Sequence, residues 1–178
     1  MITFITGGQR SGKSTFAEGL LKNKKNVGYI ATSVVLDKEM EERVNIHKST
    51  RPEEWRTIET YRNIASKIDK EEVYLLECLG TMTGNIMYDY TKDLDSIDVE
   101  TSKTIEEEIF QEMKNLIETI NNMNKDLIIV SNEVGFSLTS TNQVGRVYTD
   151  ILGRINQRVA SLCDEAFLVV SGMEVRLK

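Results

Sequence analysis

The sequence predicts an α/β fold with a mostly parallel central sheet, helices on both of its faces, and a C-terminal hairpin. Three observations lead there. Short β-branched apolar runs alternate along the chain with longer stretches of helical periodicity. The string Gly7-Gly8-Gln9-Arg10-Ser11-Gly12-Lys13-Ser14 joins the first apolar run to the first helical stretch. Near the end, two β-rich runs at 166–170 and 174–177 flank Ser171-Gly172, the composition of a tight turn.

Residues 2–6, Ile-Thr-Phe-Ile-Thr, have the β-branched and aromatic character of a buried strand. Residues 7–14 then fit G-x-x-x-x-G-K-[ST], the phosphate-binding P-loop. Gly7, Gly8 and Gly12 let the backbone turn tightly and bring its N–H groups onto phosphate oxygens. The helix that follows directs its positive end at the same anion. Lys13, expected on the solvent side of the loop, adds a point charge for the β and γ phosphates, and the Ser14 hydroxyl can ligate Mg²⁺. Phe16, Ala17, Leu20 and Leu21 share one face of that helix. The fold is therefore expected to be a three-layer sandwich of the P-loop NTPase type. It is read as one nucleotide-binding domain over 1–178.

A basic turn at 22–25 leads into a second strand at 26–32. Residues 37–49 are expected to be helical, with Met40, Val44 and His47 at helical spacing. Pro52, the only proline, disfavours helical geometry at Arg51 and ends that helix. A short strand at 55–60 and a helix at 64–68 precede a strong strand at 73–78, which carries the acid Glu77. Residues 89–98 are polar and acidic and read as a mobile surface connection. The longest helix runs from 99 to 123 with Ile105, Ile109, Met113, Leu116, Ile120 and Met123 inward. A strand at 127–131, a loop of Gly, Ser, Thr and Asn, and a helix at 143–163 follow. That last helix should turn Val144, Tyr148, Ile151, Ile155, Val159 and Leu162 inward. Ligands of parallel sheets bind at the carboxyl ends of the strands, so the P-loop, Thr32, Glu77 and Asn132-Glu133 are expected along one rim.

The 178 residues carry a formal net charge of −6, with 40% hydrophobic and 28% charged residues, as is ordinary for a soluble globular protein. With that charge and no long basic run, nucleic acid is disfavoured as the main partner. No apolar run approaches the roughly 20 residues needed to cross a bilayer. The N-terminus passes straight into the first strand, so no signal peptide is expected. Cys78 and Cys163 have apolar neighbours and read as reduced core thiols. The expected location is the cytoplasm.

A P-loop protein needs an acid near Mg²⁺, usually at the end of another strand. Glu77 is the favoured candidate and Glu133 its competitor; each also fits a plain cap of the segment that follows it. His47 is the only histidine. Arg43, His47 and Arg51 stand at four-residue spacing on one side of the predicted helix, with Lys48 adjacent. Such cations repel a proton from the imidazole and attract phosphate. A neutral imidazole there could attack phosphorus as a nucleophile. The same spacing fits a solvated basic face.

Further strings carry a family resemblance: Thr6 followed by the P-loop, Tyr29-Ile30-Ala31-Thr32-Ser33, and the run from Arg43 through His47, Lys48 and Arg51-Pro52 to Trp55. To these are added Leu75-Leu76-Glu77-Cys78, Ser131-Asn132-Glu133-Val134-Gly135, Asp150, Gly153-Arg154-Ile155-Asn156-Gln157, Asp164-Glu165 and Val169-Val170-Ser171-Gly172. With these strings the chain resembles, over almost its whole length, the bifunctional adenosylcobinamide kinase / adenosylcobinamide-phosphate guanylyltransferase family of cobalamin biosynthesis. The resemblance implies phosphorylation of the aminopropanol hydroxyl of adenosylcobinamide, a corrinoid, by ATP or GTP. It then implies transfer of GMP from GTP to that phosphate through a guanylylated histidine, matched here by His47. It implies nucleotide contacts from Gly7, Gly8, Gln9, Arg10, Ser11, Gly12, Lys13 and Ser14, and from Thr32, Ser33 and Val34. Lys48, Ser49, Thr50, Arg51, Glu59 and Glu77 complete the implied set, with Mg²⁺ at Ser14 and Glu77. A homotrimer is implied as well. The chain departs from the family pattern in lacking a proline in the loop 136–142 and in having Thr149 where arginine is frequent, and Ile46 precedes His47. Two other readings remain open at this stage: a P-loop kinase for another small metabolite with His47 incidental, and a GTP-binding regulatory module. The latter would carry a guanine-reading Asn-Lys-x-Asp string, which is absent.

Overall fold

The computed structural model describes residues 1–34, 52, 54–136 and 138–178. The helix expected at 37–49, with Arg43, His47 and residues 48–51, lies outside them. Seven strands form one sheet: β1 (Ile2–Thr6), β2 (Val27–Ala31), β3 (Arg56–Glu59), β4 (Val73–Glu77), β5 (Asp126–Val130), β6 (Glu165–Val170) and β7 (Met173–Arg176). Their order is β3-β2-β4-β5-β1-β6-β7. All pairs are parallel except β6 with β7. The hairpin turns where expected, with Ser171 at φ 51° and Gly172 at φ 79°, the two positive values that a two-residue hairpin turn needs.

The described helices are α1 (Lys13–Leu20), α2 (Leu79–Thr91), α3 (Val99–Asn122) and α4 (Gln143–Leu162), with a 3₁₀ turn at Ile64–Lys67. The strands alternate their side chains between two cores, the period of two that a sheet buried on both faces imposes. Tyr74 and Leu76 of β4 and Leu127 and Ile129 of β5 join the core beneath α2, α3 and α4. Val73, Leu75, Ile128 and Val130 face the other way, onto Ala17 and Leu21 at α1 and onto Trp55. Among the described residues no helix is long and apolar enough to cross a membrane. Both cysteines are free, Cys163 buried and Cys78 partly so.

Several expectations need correction. Helix α2 has no counterpart in the sequence reading, because Gly80, Gly84 and three threonines depress its intrinsic propensity. Tertiary packing overrides that: Leu79, Met82 and Ile86 are fully buried in the helical-face core. The connection expected at 89–98 therefore begins as the last turn of α2. It ends at Asp98, which caps α3 by accepting from the Thr101 amide at 2.7 Å. The helix expected at 64–68 is a single 3₁₀ turn anchored by Ile64. The apolar stripes also fray at helix ends: Leu20, Met123, Val144 and Leu162 are exposed, not inward.

Candidate active site

The carboxyl ends of β1, β2, β3, β4, β5 and β6 share one rim, with Glu59, Ala31, Glu77, Val130, Ile5 and Phe167 in one register row. The P-loop rises from β1, between β5 and β6, and is shaped by the hairpin beside it. A Cβ on Gly7 would lie 2.3 Å from the Val169 carbonyl oxygen, and one on Gly12, at φ +100°, would lie 3.2 Å from the Gly172 Cα. The Gly172 amide donates to the Ser11 carbonyl at 2.8 Å. Gly12 at the N-cap of α1 offers no capping side chain, so the first amides of the helix remain directed at the loop.

Lys13 is not on the solvent side. It is 7% exposed, and its Nζ donates to the Gly8 carbonyl at 2.7 Å. Burial lowers its pKa from the ordinary lysine value, partly offset by Cys78 and the Glu77 carboxylate nearby. The hydroxyls of Ser11 and Thr6 are buried beside the same loop and have no hydrogen-bond partner among the described residues.

Glu77 faces the P-loop: its Oε1 accepts from the Ser14 hydroxyl at 2.7 Å. Thr32, buried at the end of β2, fastens the backbone on which Glu77 stands. Its amide donates to the Glu77 carbonyl at 3.1 Å, its hydroxyl donates to the Cys78 carbonyl at 2.8 Å, and the same oxygen accepts from the Cys78 amide at 3.0 Å. The Asn85 side chain of α2 in turn donates to the Thr32 carbonyl at 2.7 Å. Burial, together with the charge of Glu77, raises the pKa of the Cys78 thiol.

Glu133 is used differently. Its Oε1 accepts from the Gly135 amide within its own loop at 2.8 Å, while its backbone amide supports the Gly7 carbonyl at 2.9 Å. Behind it, Asn156 of α4 accepts from the Ser131 hydroxyl at 2.6 Å and donates to the Asn132 carbonyl at 2.9 Å. The site thus pairs a buried cation and a helix N-terminus without a side-chain cap from Gly12 with a hydroxyl–carboxylate pair. Such a set suits a polyphosphate and a hard divalent cation held by one carboxylate and phosphate oxygens. Among the described residues no cluster of three or more His, Cys, Asp or Glu forms a metal cage.

Residues 3–177 match the family model described as cobinamide kinase / cobinamide phosphate guanyltransferase. The chain belongs to this family. It is 40% identical over 182 residues to the bifunctional adenosylcobalamin biosynthesis protein CobU of Escherichia coli, with both chains covered completely. The CobU protein of Salmonella typhimurium is 38% identical over 182 residues, again with complete coverage of both. The bifunctional adenosylcobalamin biosynthesis protein CobP of Pseudomonas aeruginosa is 31% identical over 184 residues, covering all of this chain and 98% of the relative.

Of the residues that the family resemblance assigned to the nucleotide, the P-loop and Glu77 come together. Thr32, Ser33 and Val34 follow β2 at the same rim, with the Thr32 hydroxyl already engaged by the backbone. Glu59 ends β3, two strands and roughly 10 Å from Glu77 at the usual strand spacing. His47 and residues 48–51 lie outside the described set. The sequence reading missed the supporting roles of Asn85, Asn156 and the hairpin turn. Only Asn156 and Gly172 carried a signal, as parts of the family strings.

Proposed function

We propose that this protein phosphorylates adenosylcobinamide with ATP or GTP and then transfers GMP from GTP to the product, giving adenosylcobinamide-GDP. The observation that carries the reading is the Ser14–Glu77 contact beside a buried Lys13, in a chain that matches the family model from residue 3 to residue 177. In the first reaction the loop amides and Lys13 bind the β and γ phosphates, and Lys13 offsets charge that builds on the transferring phosphoryl group. Ser14 and Glu77 would hold Mg²⁺, which supplies charge neutralisation on the phosphates when bound. The substrate hydroxyl oxygen forms the new P–O bond as the bond to the β-phosphate oxygen breaks, and the hydroxyl proton is lost.

In the second reaction a ring nitrogen of His47 attacks the α-phosphorus of GTP and pyrophosphate leaves. The cobinamide phosphate oxygen then attacks the same phosphorus and frees the histidine. Arg43, Lys48 and Arg51 favour the neutral imidazole and stabilise the departing charge. Ser33, Val34 and Glu59 extend the nucleotide site along the rim. Homotrimeric association and a cytoplasmic location belong to the same reading.

The test uses GTP labelled separately at the α and γ positions, with and without cobinamide. The γ label should move to cobinamide, and the α label should remain on the protein through an acid-labile, base-stable phosphoramidate. A His47→Asn variant should lose the α label and GDP-cobinamide formation while still phosphorylating cobinamide. GDP-cobinamide made by that variant at near wild-type rate overturns the covalent role of His47. Wild-type protein that leaves cobinamide without the γ label overturns the kinase reading.

A further inference from the structure

A second concave site lies in the helical layer. Helix α2 carries Gly84, Met87, Tyr88 and Thr91 along one stripe, and the start of α4 sets Val144 and Tyr148 across from them. Between the two helices is a cavity of about 360 Å³ with no charged side chain among the described residues that line it. Tyr88 and Val144 at its walls are 56% and 52% exposed, apolar surface that the described chain leaves open. The nearest atom to a Cβ built on Gly84 is Tyr148 Cε2, at 3.8 Å, an ordinary contact. Packing therefore does not require glycine there, although glycine weakens a helix interior; what its missing side chain preserves is the space.

This cavity is joined to the phosphate site. The Tyr148 hydroxyl donates at 3.1 Å to the carbonyl of Gly80, in the first turn of α2 directly after Glu77 and Cys78. Gly84 lies roughly 7–8 Å along that helix from Leu79, its first residue, which follows Glu77 by two positions. A phosphate acceptor whose reactive hydroxyl sits at the P-loop thus has an apolar, aromatic-walled recess within one side-chain arm's reach.

We propose that this cavity seats one edge of the corrin macrocycle of cobinamide, while its aminopropanol arm runs back along α2 to present its hydroxyl at the P-loop. The inference rests on the kinase reading and adds where the acceptor's body is held. A corrin periphery carries methyl groups and neutral amide arms, and it matches an uncharged wall of Met87, Tyr88, Val144 and Tyr148 edged by the polar Thr91. The cavity is smaller than the macrocycle, so the remainder lies over the exposed faces of Tyr88 and Val144.

The test measures binding of dicyanocobinamide by equilibrium dialysis without nucleotide, and the KM values for cobinamide and GTP in the kinase assay. Gly84→Leu fills the recess, Val144→Glu charges its mouth from an exposed position, and Gly84→Ala controls for helix propensity. Circular dichroism and sedimentation check fold and association. Both Gly84→Leu and Val144→Glu should weaken dicyanocobinamide binding and raise the cobinamide KM by about tenfold or more, with kcat retained and the GTP KM changed by less than about twofold. Gly84→Ala should stay near wild type. Wild-type cobinamide binding in both variants overturns the assignment, as does a changed association state with an unchanged cobinamide KM, which would make the face a contact between copies. A wild-type protein that does not phosphorylate cobinamide sinks the kinase reading itself. Phosphorylation that is indifferent to both variants sinks only the cavity.

Discussion

Glu71 and Glu77 bracket β4 and lie at opposite rims of the same sheet. Glu71, at the amino end, is 2% exposed. Arg56 Nη1 donates to its two oxygens at 3.2 and 3.0 Å, the Tyr74 hydroxyl donates to Oε2 at 2.7 Å, and Lys125 donates to its backbone carbonyl. Nearby the Asp126 carboxylate accepts from the N-terminal ammonium group, and the Asp164 carboxylate accepts from the Ile2 amide. The amino rim thus spends its charges on the fold. Among the described residues, Lys13 at the carboxyl rim is buried with no carboxylate salt bridge, and the Thr6 and Ser11 hydroxyls have no hydrogen-bond partner. Those groups cost stability in the protein alone, and under the proposed function their partner is a phosphate chain. Burial alone therefore does not distinguish structural from functional charge; how far the protein itself satisfies the charge does.

The largest effect should come from Lys13→Met. Phosphoryl transfer should fall by about 10²–10³-fold, the usual cost of removing one preorganised positive group from a transition state. Stability should stay level or rise, because a desolvated ammonium is replaced by an apolar chain of similar length. The sign follows from linkage: the folded pKa of Lys13 is below 10.5, so the native state binds fewer protons in that window and wild-type stability gains as pH rises through it. Thermal melts against pH should show this gain in wild type and not in Lys13→Met. A strongly destabilised Lys13→Met would move Lys13 into the structural class with Glu71.

Glu77→Gln should come next, with a loss of about tenfold to a hundredfold in activity and a raised Mg²⁺ requirement. An amide oxygen can still accept from Ser14, so the melting temperature should hardly move. Titrating kinase activity with Mg²⁺ checks it. If Glu133→Gln shifts the requirement and Glu77→Gln does not, the acid that serves the metal is at the end of β5.

The difference between the rims also explains what was legible in the sequence. The carboxyl rim was read from local signals: Gly7 to Ser14 is contiguous, and Glu77 ends an apolar run. The parallel sheet followed from alternating periodicities, and the hairpin from Ser171-Gly172. The amino rim was invisible because its network joins β3, β4 and Lys125, and pairing over such separations leaves no local pattern. Helix α2 was missed for the related reason that Leu79, Met82 and Ile86 are held by α3 and α4, while Gly80 and Gly84 argue locally against a helix. Lys13 lies deeper than the motif implies, because a motif states residue types but not the depth at which the fold buries them.

Glu71→Gln should lower stability by about 2–3 kcal/mol, since it leaves Arg56 opposite a neutral group in a mostly buried site. Activity per folded molecule should be retained, the opposite pattern to Glu77→Gln. Burial pushes the Glu71 pKa up, but hydrogen bonds from Tyr74, its own backbone amide and Arg56, with the charge of Arg56, hold it below 4.5. A depressed carboxylate contributes stability that is present above 4.5 and lost as pH falls through the folded value. Acid unfolding of Glu71→Gln should lack that component. Activity that falls in step with Glu77→Gln would break the contrast between the rims.

The smallest expected effect tests the hydroxyl that closes the amino-rim network. Tyr74 is fully buried; its hydroxyl donates to Glu71 and accepts from the Asp69 amide at 2.8 Å. Tyr74→Phe keeps the ring in the core and removes both bonds, so it should cost about 1–2 kcal/mol near pH 7. Burial, and then the hydrogen bond to Glu71, push the phenol up to about 12 from 10.0. A raised pKa means the native state keeps its proton after the unfolded chain has lost it. The stability this represents is complete below pH 10 and is lost as pH rises from there through about 12. Other groups titrate in the same range, so the useful quantity is the difference between wild type and Tyr74→Phe in denaturant melts from pH 8 to 11.5. That difference should shrink above pH 10. Two curves that stay parallel across the range would show that the Tyr74 hydroxyl is not held by Glu71, and the amino rim would lose the full satisfaction that sets it apart from the site.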